Sequence, residues 1–280
     1  MTQKQISEYL KQQTFVAFDT ETTGMWAPIN RLVEIAAVKF KVSEKQTEEF
    51  QSLINPEREI PQEVIEIHGI TNGMVKNAPT LKSILTKFSD FCGNDSILIA
   101  HNAPFDISFI GNSLNQLGLK FGENLILDTV DIYRRFFPSL RSYSLLNIAK
   151  HFGIAQEQQH RALSDALLVY SLFKKALPEI PPINCCDDFK KNLATYTMSH
   201  WKGNLTVLPE SYADFNEAIE KKLKVEIDYG PPQKESQKRI IHPQQVYKLG
   251  SIYYISSYCE LAQAERVFRL DRILNYKVLD

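Results

Sequence analysis

Four cysteines in 280 residues, Cys92, Cys185, Cys186 and Cys259, leave little room for sulfur chemistry. None belongs to a Cys-x-x-Cys pair, which excludes a zinc knuckle or a thioredoxin-type motif. Cys185 and Cys186 are neighbours, and neighbouring cysteines do not form a relaxed disulfide. Four reduced thiols are expected, as in a reducing compartment. No apolar run approaches the ~20 residues of a membrane span, so no membrane partner is expected. Residues 1–13 are polar and lack the apolar core of a signal peptide, which points to a cytoplasmic protein. Internal repeats are also absent, which excludes repeat architectures. Charge is nearly balanced, 32 Lys and Arg against 33 Asp and Glu, for a formal net charge of -1. A global attraction for nucleic acid is therefore missing, although local patches can supply one.

What is present is an ordinary globular composition, 44% hydrophobic and 23% charged, long enough for one medium and one small domain. Apolar strand patterns occupy residues 14–18, 32–42, 48–54, 96–100 and 125–127. Helical spacing marks 81–91, 104–117, 145–152 and 162–177. Extended segments followed by helices alternating with short strands predict an α/β fold, a mixed sheet flanked by helices. Pro178, Pro181 and Pro182 break the last helix and mark a domain boundary. The expected division is residues 1–178, a linker region 179–210, and a second domain 211–280. That last part reads as a helix (211–223) and then short β runs at 224–229, 240–249, 252–258 and 267–273, a small β-rich domain.

Three acidic clusters carry the chemistry. Asp19 and Glu21 follow the apolar run Phe15-Val16-Ala17-Phe18, and residues two apart on a strand share a face. Two carboxylates there repel each other unless a cation lies between them. Asp106 follows His101-Asn102-Ala103-Pro104-Phe105, with Pro104 suited to a first helical turn. Taken alone, Asp106 reads more readily as an aspartate serving the helix dipole. Asp165 falls in the first turn of the helix from Ala162, on its apolar stripe with Leu168, Val169 and Leu172. His160 must then precede the helix, on an approach segment suited to a base that enters and leaves a site. Oxygen-only ligands select hard cations, Mg²⁺ or Mn²⁺. Two such ions ~4 Å apart stabilise the attacking and leaving oxygens of a phosphodiester displacement, and a histidine can take the proton of the attacking water.

In this order and spacing, Phe18-Asp19-Thr20-Glu21-Thr22-Thr23-Gly24, His101-Asn102-Ala103-Pro104-Phe105-Asp106 and His160-Arg161-Ala162-Leu163-Ser164-Asp165 resemble the three motifs of the DEDD exonucleases. The subgroup is the one with a histidine base, since Arg161 stands where the other subgroup has tyrosine. Asn55-Pro56 and Ile67-His68-Gly69-Ile70-Thr71 resemble the proofreading subunits of bacterial replicative DNA polymerases. The resemblance covers residues 12–178. It implies a ribonuclease-H-like sheet and removal of nucleotides from a 3′ end, with His160 catalytic. It implies two Mg²⁺ or Mn²⁺ ions held by Asp19, Glu21 and Asp165, with Asp106 ligating directly or through water. Thr22, Thr23, Gly24, Glu63, His68, His101, Asn102 and Phe105 would line the terminal nucleotide. For His68 a purely structural role stays open.

Residues 211–280 resemble a second family, the WYL domain. Gly250-Ser251-Ile252-Tyr253-Tyr254-Ile255 is similar to its naming motif, with tyrosine and isoleucine for the usual tryptophan and leucine, and Phe268-Arg269-Leu270-Asp271-Arg272-Ile273 to its closing motif. The resemblance implies a small SH3-like barrel that binds a ligand or nucleic acid through Arg239, Tyr254, Arg266 and Arg269. From Ser236 to Leu279 there are seven Lys or Arg and three acidic residues, an excess suited to phosphate. The expectation is thus a metal-dependent 3′→5′ exonuclease modulated by its C-terminal domain. Its partner is a nucleic acid with a free 3′ end, DNA ahead of RNA, with a polymerase or other repair protein as a further partner. The alternative is a ligand or nucleic-acid sensor whose nuclease half is secondary. The intact acidic set favours the enzyme.

Overall fold

The computed structural model describes residues 6–200, 208–230, 236–249 and 252–279. The chain divides into two compact units, residues 1–25 with 30–201 and residues 26–29 with 202–280.

In the first unit helix α1 (Glu8–Gln12) leads into strands β1 (Thr14–Thr22), β2 (Leu32–Lys41) and β3 (Thr47–Leu53). Helices α2 (Gln62–His68), α3 (Asn72–Val75) and α4 (Leu81–Cys92) follow, then β4 (Ile97–Ala100), α5 (Ala103–Leu117), β5 (Ile126–Asp128) and α6 (Thr129–Phe136). Helices α7 (Leu145–His151), α8 (Ala162–Ala176) and α9 (Cys186–Asn192) and strand β6 (Thr195–Tyr196) complete it. The sheet order is β3-β2-β1-β4-β5-β6. Strands β1 to β3 are antiparallel, β4 and β5 run parallel to β1, and β6 returns antiparallel on the edge. This is the expected ribonuclease-H-like mixed sheet.

Central strand β1 is rich in β-branched and aromatic residues, and its residues Phe15 to Phe18 are fully buried. Phe15 and Ala17 share one face, where the Phe15 ring lies 5.1 Å from Phe173 of α8 in a cluster with Tyr133, Val169 and Leu172. The buried Tyr133 hydroxyl donates to the Leu172 carbonyl at 3.0 Å. Phe18 faces the other way, 5.9 Å from Phe88 of α4. Truncating a buried phenylalanine of this kind to alanine costs about 3–5 kcal/mol.

The stretch expected as a linker is instead part of this unit as far as β6. Ile180, Ile183, Phe189 and Leu193 are buried in the same core as Phe15, and β6 pairs with β5. The prolines do end α8, but they return the chain onto the unit. The Ser7 hydroxyl donates to the Ile183 carbonyl, joining the first described residues to this last stretch.

In the second unit a 3₁₀ turn (Glu210–Tyr212) precedes α10 (Asp214–Glu220). Strands β7 (Lys224–Tyr229), β8 (Gln237–Leu249), β9 (Ile252–Cys259), β10 (Ala264–Arg269) and β11 (Ile273–Leu279) form an antiparallel sheet ordered β10-β9-β8-β7-β11. Phe215 and Ala218 of α10 pack with Val225, Ile227, Ile241, Ile255 and Phe268. The expected SH3-like barrel is, in its hydrogen bonding, an open sheet. Strands β10 and β11 are its two edges and do not pair among the described residues. The single run expected at 267–273 is broken by a 3₁₀ turn at Leu270–Arg272. Gly250 and Ser251 of the naming motif lie outside the described residues. All four cysteines are free, Cys92 and Cys259 being buried. Among the described residues no helix is long and apolar enough to cross a membrane.

Candidate active site

Strand β1 continues past Phe18 to Thr22, so Asp19 and Glu21 lie within it. Alternation places both on the face of Phe15 and Ala17. Helix α8 covers that face with the buried stripe Asp165, Val169, Leu172, Phe173 and Ala176, the spacing of one helical face. The packing that buries Phe15 against Phe173 therefore carries Asp165, just over two turns earlier, onto Asp19 and Glu21. One oxygen from each of the three carboxylates lies within 4.8 Å of the others. The β1–β2 register shifts between Glu21 and Thr22, so the ladder is disrupted at the site.

Asp106 arrives on α5. This helix starts after Asn102, which holds a left-handed conformation (φ 64°, ψ 50°) that asparagine tolerates better than most residues. Asp128 caps the start of α6 and binds the approach to α5 with one oxygen, accepting from the backbone of Asn102 and of Val130 at 2.9 Å each. Asp106 is buried and accepts from the Thr20 hydroxyl at 2.7 Å.

Burial pushes Asp19 well above the ordinary aspartate range, with Asp106, Glu21 and Asp165 adding repulsion. Glu21 is pushed up to about 8 by burial and then by Asp165 and Glu34. Burial also lifts Asp106 to about 7, against the Thr20 hydrogen bond, and raises Asp165 against a bond from Gln158. Gln158 donates to Asp165 Oδ2 at 2.6 Å, whereas Asp165 Oδ1 is buried with no hydrogen-bond partner. Crowded carboxylates held above their ordinary range, with one orphaned buried oxygen, fit a divalent cation.

His160 is exposed, two residues before α8, with a left-handed φ of 48°. The helix begins where the approach segment was expected to end. Arg161 pairs at 2.7 Å with Glu34, fully buried on β2 opposite Glu21. Burial alone would raise the Glu34 pKa, but hydrogen bonds from Arg161, Gln51 and the Ala162 amide hold it below the ordinary range. Sequence reasoning missed Glu34, Thr20 and Gln158. The signal for Glu34 was a lone acid inside the apolar run Leu32 to Val38.

The other expected residues divide by their contacts. The Thr22 hydroxyl donates to the Gly24 carbonyl at 2.6 Å, and Thr23 Oγ1 lies 3.3 Å from Asn30 Oδ1. Gly24 has φ 151°, and a Cβ there would meet Asn30 Oδ1 at 2.7 Å, so the turn requires glycine. Glu63 is exposed in the first turn of α2. Phe105 is half-buried against Phe109, ring centroids 5.0 Å apart. His68 is buried, its Nδ1 accepting from the Ile70 amide at 3.0 Å, and burial lowers its pKa. His101, driven down to about 4 by burial, is neutral at physiological pH. Its Nε2 donates to the Tyr143 carbonyl at 3.0 Å, which leaves Nδ1 to accept from the Thr129 hydroxyl at 2.8 Å. In the second unit Arg266 is exposed and Tyr254 buried. Arg239 donates to Gln237 at 2.8 Å and leaves its Nε buried without a partner. Arg269 grips Asp271 with two bonds of 2.7 and 3.0 Å.

The profile of the family described as Exonuclease matches residues 16–173, over half of the chain. The chain belongs to this exonuclease family. The WYL domain profile matches residues 210–278. The exonuclease region is 40% identical over 160 residues to the PolC-type DNA polymerase III of Clostridium perfringens (strain 13 / Type A), covering 57% of this chain and 11% of that protein. It is 37% identical over 177 residues to the PolC-type polymerase of Caldanaerobacter subterraneus subsp. tengcongensis, covering 63% and 12%. The chain thus spans about an eighth or less of the length of these relatives. Among solved structures, a 3′-exonuclease recognising the 3′ end of a histone mRNA stem-loop aligns with TM-score 0.54 and 17% identity, over 61% of this chain and 83% of that one. A full-length 3′-exonuclease aligns with TM-score 0.53 and 21% identity, over 61% and 62%. These two likenesses establish the exonuclease fold, and the family makes the N-terminal unit a nuclease, a hydrolase.

Proposed function

We propose that the exonuclease unit removes nucleotides from a free 3′ end with the help of two Mg²⁺ or Mn²⁺ ions. The observation that carries this reading is the meeting of Asp19, Glu21 and Asp165 within 4.8 Å beside an unpartnered Asp165 oxygen. These three would hold the ions, with Asp106 ligating directly or through water. When bound, such ions stabilise the attacking and leaving oxygens of the displacement. His160, exposed and outside the helix, takes the proton of the attacking water. Phe105 offers a ring for the terminal base. Glu63 accepts from the sugar hydroxyl. The Thr22–Gly24 turn, His68 and Asn102 border the nucleotide, and His101 braces that wall from behind through Thr129 and Tyr143.

DNA is the substrate we favour, because the 40%-identical relatives are named as DNA polymerases. A polymerase or other repair protein is the corresponding partner. The WYL domain binds a ligand or nucleic acid through Arg239, Tyr254, Arg266 and Arg269 and modulates the nuclease. Arg266, exposed and in no ion pair among the described residues, is better placed for phosphate than Arg269, whose charge Asp271 answers.

The test is digestion of 3′-labelled and 5′-labelled single-stranded DNA and RNA with Mg²⁺, Mn²⁺ or EDTA. Prompt release of the 3′ label as mononucleotide, only with a divalent ion, is expected. Full activity in EDTA, or release starting at the 5′ end, overturns the reading.

A further inference from the structure

We infer that Glu34 and Arg161 form a positioning clamp for this reaction, holding the metal ligand Asp165 and the base His160 in register with β1. The inference rests on the metal-nuclease reading above.

Glu34 lies directly across from Glu21 in the β1–β2 ladder and so shares its face. A carboxylate beside a cation site would ordinarily be counted as another ligand. Its acceptor positions are already occupied. Oε1 accepts from Gln51 Nε2 at 2.9 Å and from an Arg161 terminal nitrogen at 2.7 Å. Oε2 accepts from Arg161 Nε at 3.0 Å and from the Ala162 amide at 3.1 Å. A carboxylate offers about four lone-pair sites, so none is left for a cation.

The donors show what Glu34 does instead. Helix α8 has no side-chain cap from Arg161, its own N-cap residue. The amide of Ala162, the first helical residue, is satisfied from β2 by Glu34. The cap thus comes from the sheet, and it fixes the start of α8 relative to the strands. Arg161 adds a two-pronged bond that admits one orientation of its guanidinium. Its carbonyl accepts from the Asp165 amide at 3.0 Å, and its preceding neighbour is the left-handed His160. Arg161, gripped by Glu34, thus directly follows the base and bonds through its carbonyl to the ligand's amide.

The test compares full-length wild type with Glu34→Gln, Arg161→Lys, Arg161→Ala and the Glu34→Gln/Arg161→Ala double variant. Circular dichroism and thermal unfolding identify the folded variants. Mn²⁺ binding to the protein alone is measured by calorimetry, and kcat and KM on a 3′-labelled oligonucleotide separately. The clamp predicts that Mn²⁺ affinity and kcat each fall about 10–100-fold, with KM little changed. Arg161→Lys should recover only part of the loss, because a lysine lacks the fork. The double variant should be no worse than the poorer single one. Wild-type Mn²⁺ affinity and kcat in folded Glu34→Gln and Arg161→Lys overturn the clamp alone. So do variants that lose only thermal stability, or losses that simply add in the double variant. Should Glu34→Gln fail to fold, Arg161→Lys decides by the same criteria. A wild-type protein that neither binds Mn²⁺ nor cleaves overturns the metal reading, and the clamp with it.

Discussion

Gln158 donates its side-chain amide to Asp165 across 2.6 Å, on the carboxylate whose other oxygen is buried without a partner. In the cation-free protein this amide steadies a charge that its surroundings oppose. The free oxygen, Oδ1, is left for a cation, and Gln158 holds the carboxylate in place from the other side. Gln158→Ala should therefore weaken Mn²⁺ binding by about 10–100-fold. Calorimetry decides it, and unchanged or tighter binding in the variant would show that Gln158 does not support the ligand.

Asp19→Asn should abolish metal-dependent cleavage while leaving the fold intact. It should also raise the unfolding temperature of EDTA-treated protein, because it removes a charge repelled by Asp106, Glu21 and Asp165. Thermal unfolding with and without EDTA tests this directly. A lower unfolding temperature in EDTA would show that the Asp19 charge supports the fold.

The same crowding makes the cation-free protein sensitive to alkali. Glu21 titrates at about 8 and Asp106 at about 7, both above the ordinary carboxylate range. The folded state therefore binds more protons than the unfolded chain from roughly pH 4 up to these values. Stability in EDTA should fall as pH rises through that window, and Mn²⁺ should restore it at the alkaline end. Unfolding temperatures from pH 6 to pH 9 should diverge between the EDTA and Mn²⁺ series. Parallel curves would contradict the assignment.

His160→Ala should lower turnover by about 10²–10⁴-fold with little effect on oligonucleotide binding. Single-turnover rates and binding measured in parallel separate the two effects. Turnover equal to wild type would remove His160 from the chemistry.

A chain ending at Glu179 should fold poorly, whereas one ending at His200 should fold and retain nuclease activity. The shorter chain loses Ile183, Phe189 and Leu193 from the core and β6 from the sheet edge. Phe189→Ala in the full chain should reproduce part of the loss, about 3–5 kcal/mol. Equal unfolding temperatures for the two truncated chains would show that this segment adds nothing.

Much of the site was legible because its residues lie at the ends of strongly patterned elements. Strand β1 declared itself through Phe15 to Phe18, and Asp19 and Glu21 followed by alternation. Helix α8 declared itself through its apolar stripe, and Asp165 lies on it. The start of that helix told where His160 had to be. What could not be read was held by partners far apart in the chain. Glu34 and Arg161 are separated by 127 residues, and nothing local marks either as half of a pair. Helix α6 escaped notice because its cap, Asp128, reads as the end of a strand. The segment after Pro178 looked like a linker because its buried residues are sparse. They pack only because Ile180, Ile183 and Phe189 meet a core assembled from residues as far apart as Leu10 and Leu177. In the second unit Leu270 to Arg272 reads as a continuous strand, since a one-turn break leaves little trace in an apolar pattern.

The hydrogen bond from Ser7 to the Ile183 carbonyl has a consequence for how such a unit travels between proteins. It ties the start of the nuclease to Ile183, while the unit itself runs on through α9 and β6. A copy cut at the prolines would leave part of its own core and its sheet edge behind, so any transfer has to carry the chain as far as β6. Similar sequence makes up only 11–12% of the much longer polymerases it matches. Here such a unit is followed in the chain by a WYL domain.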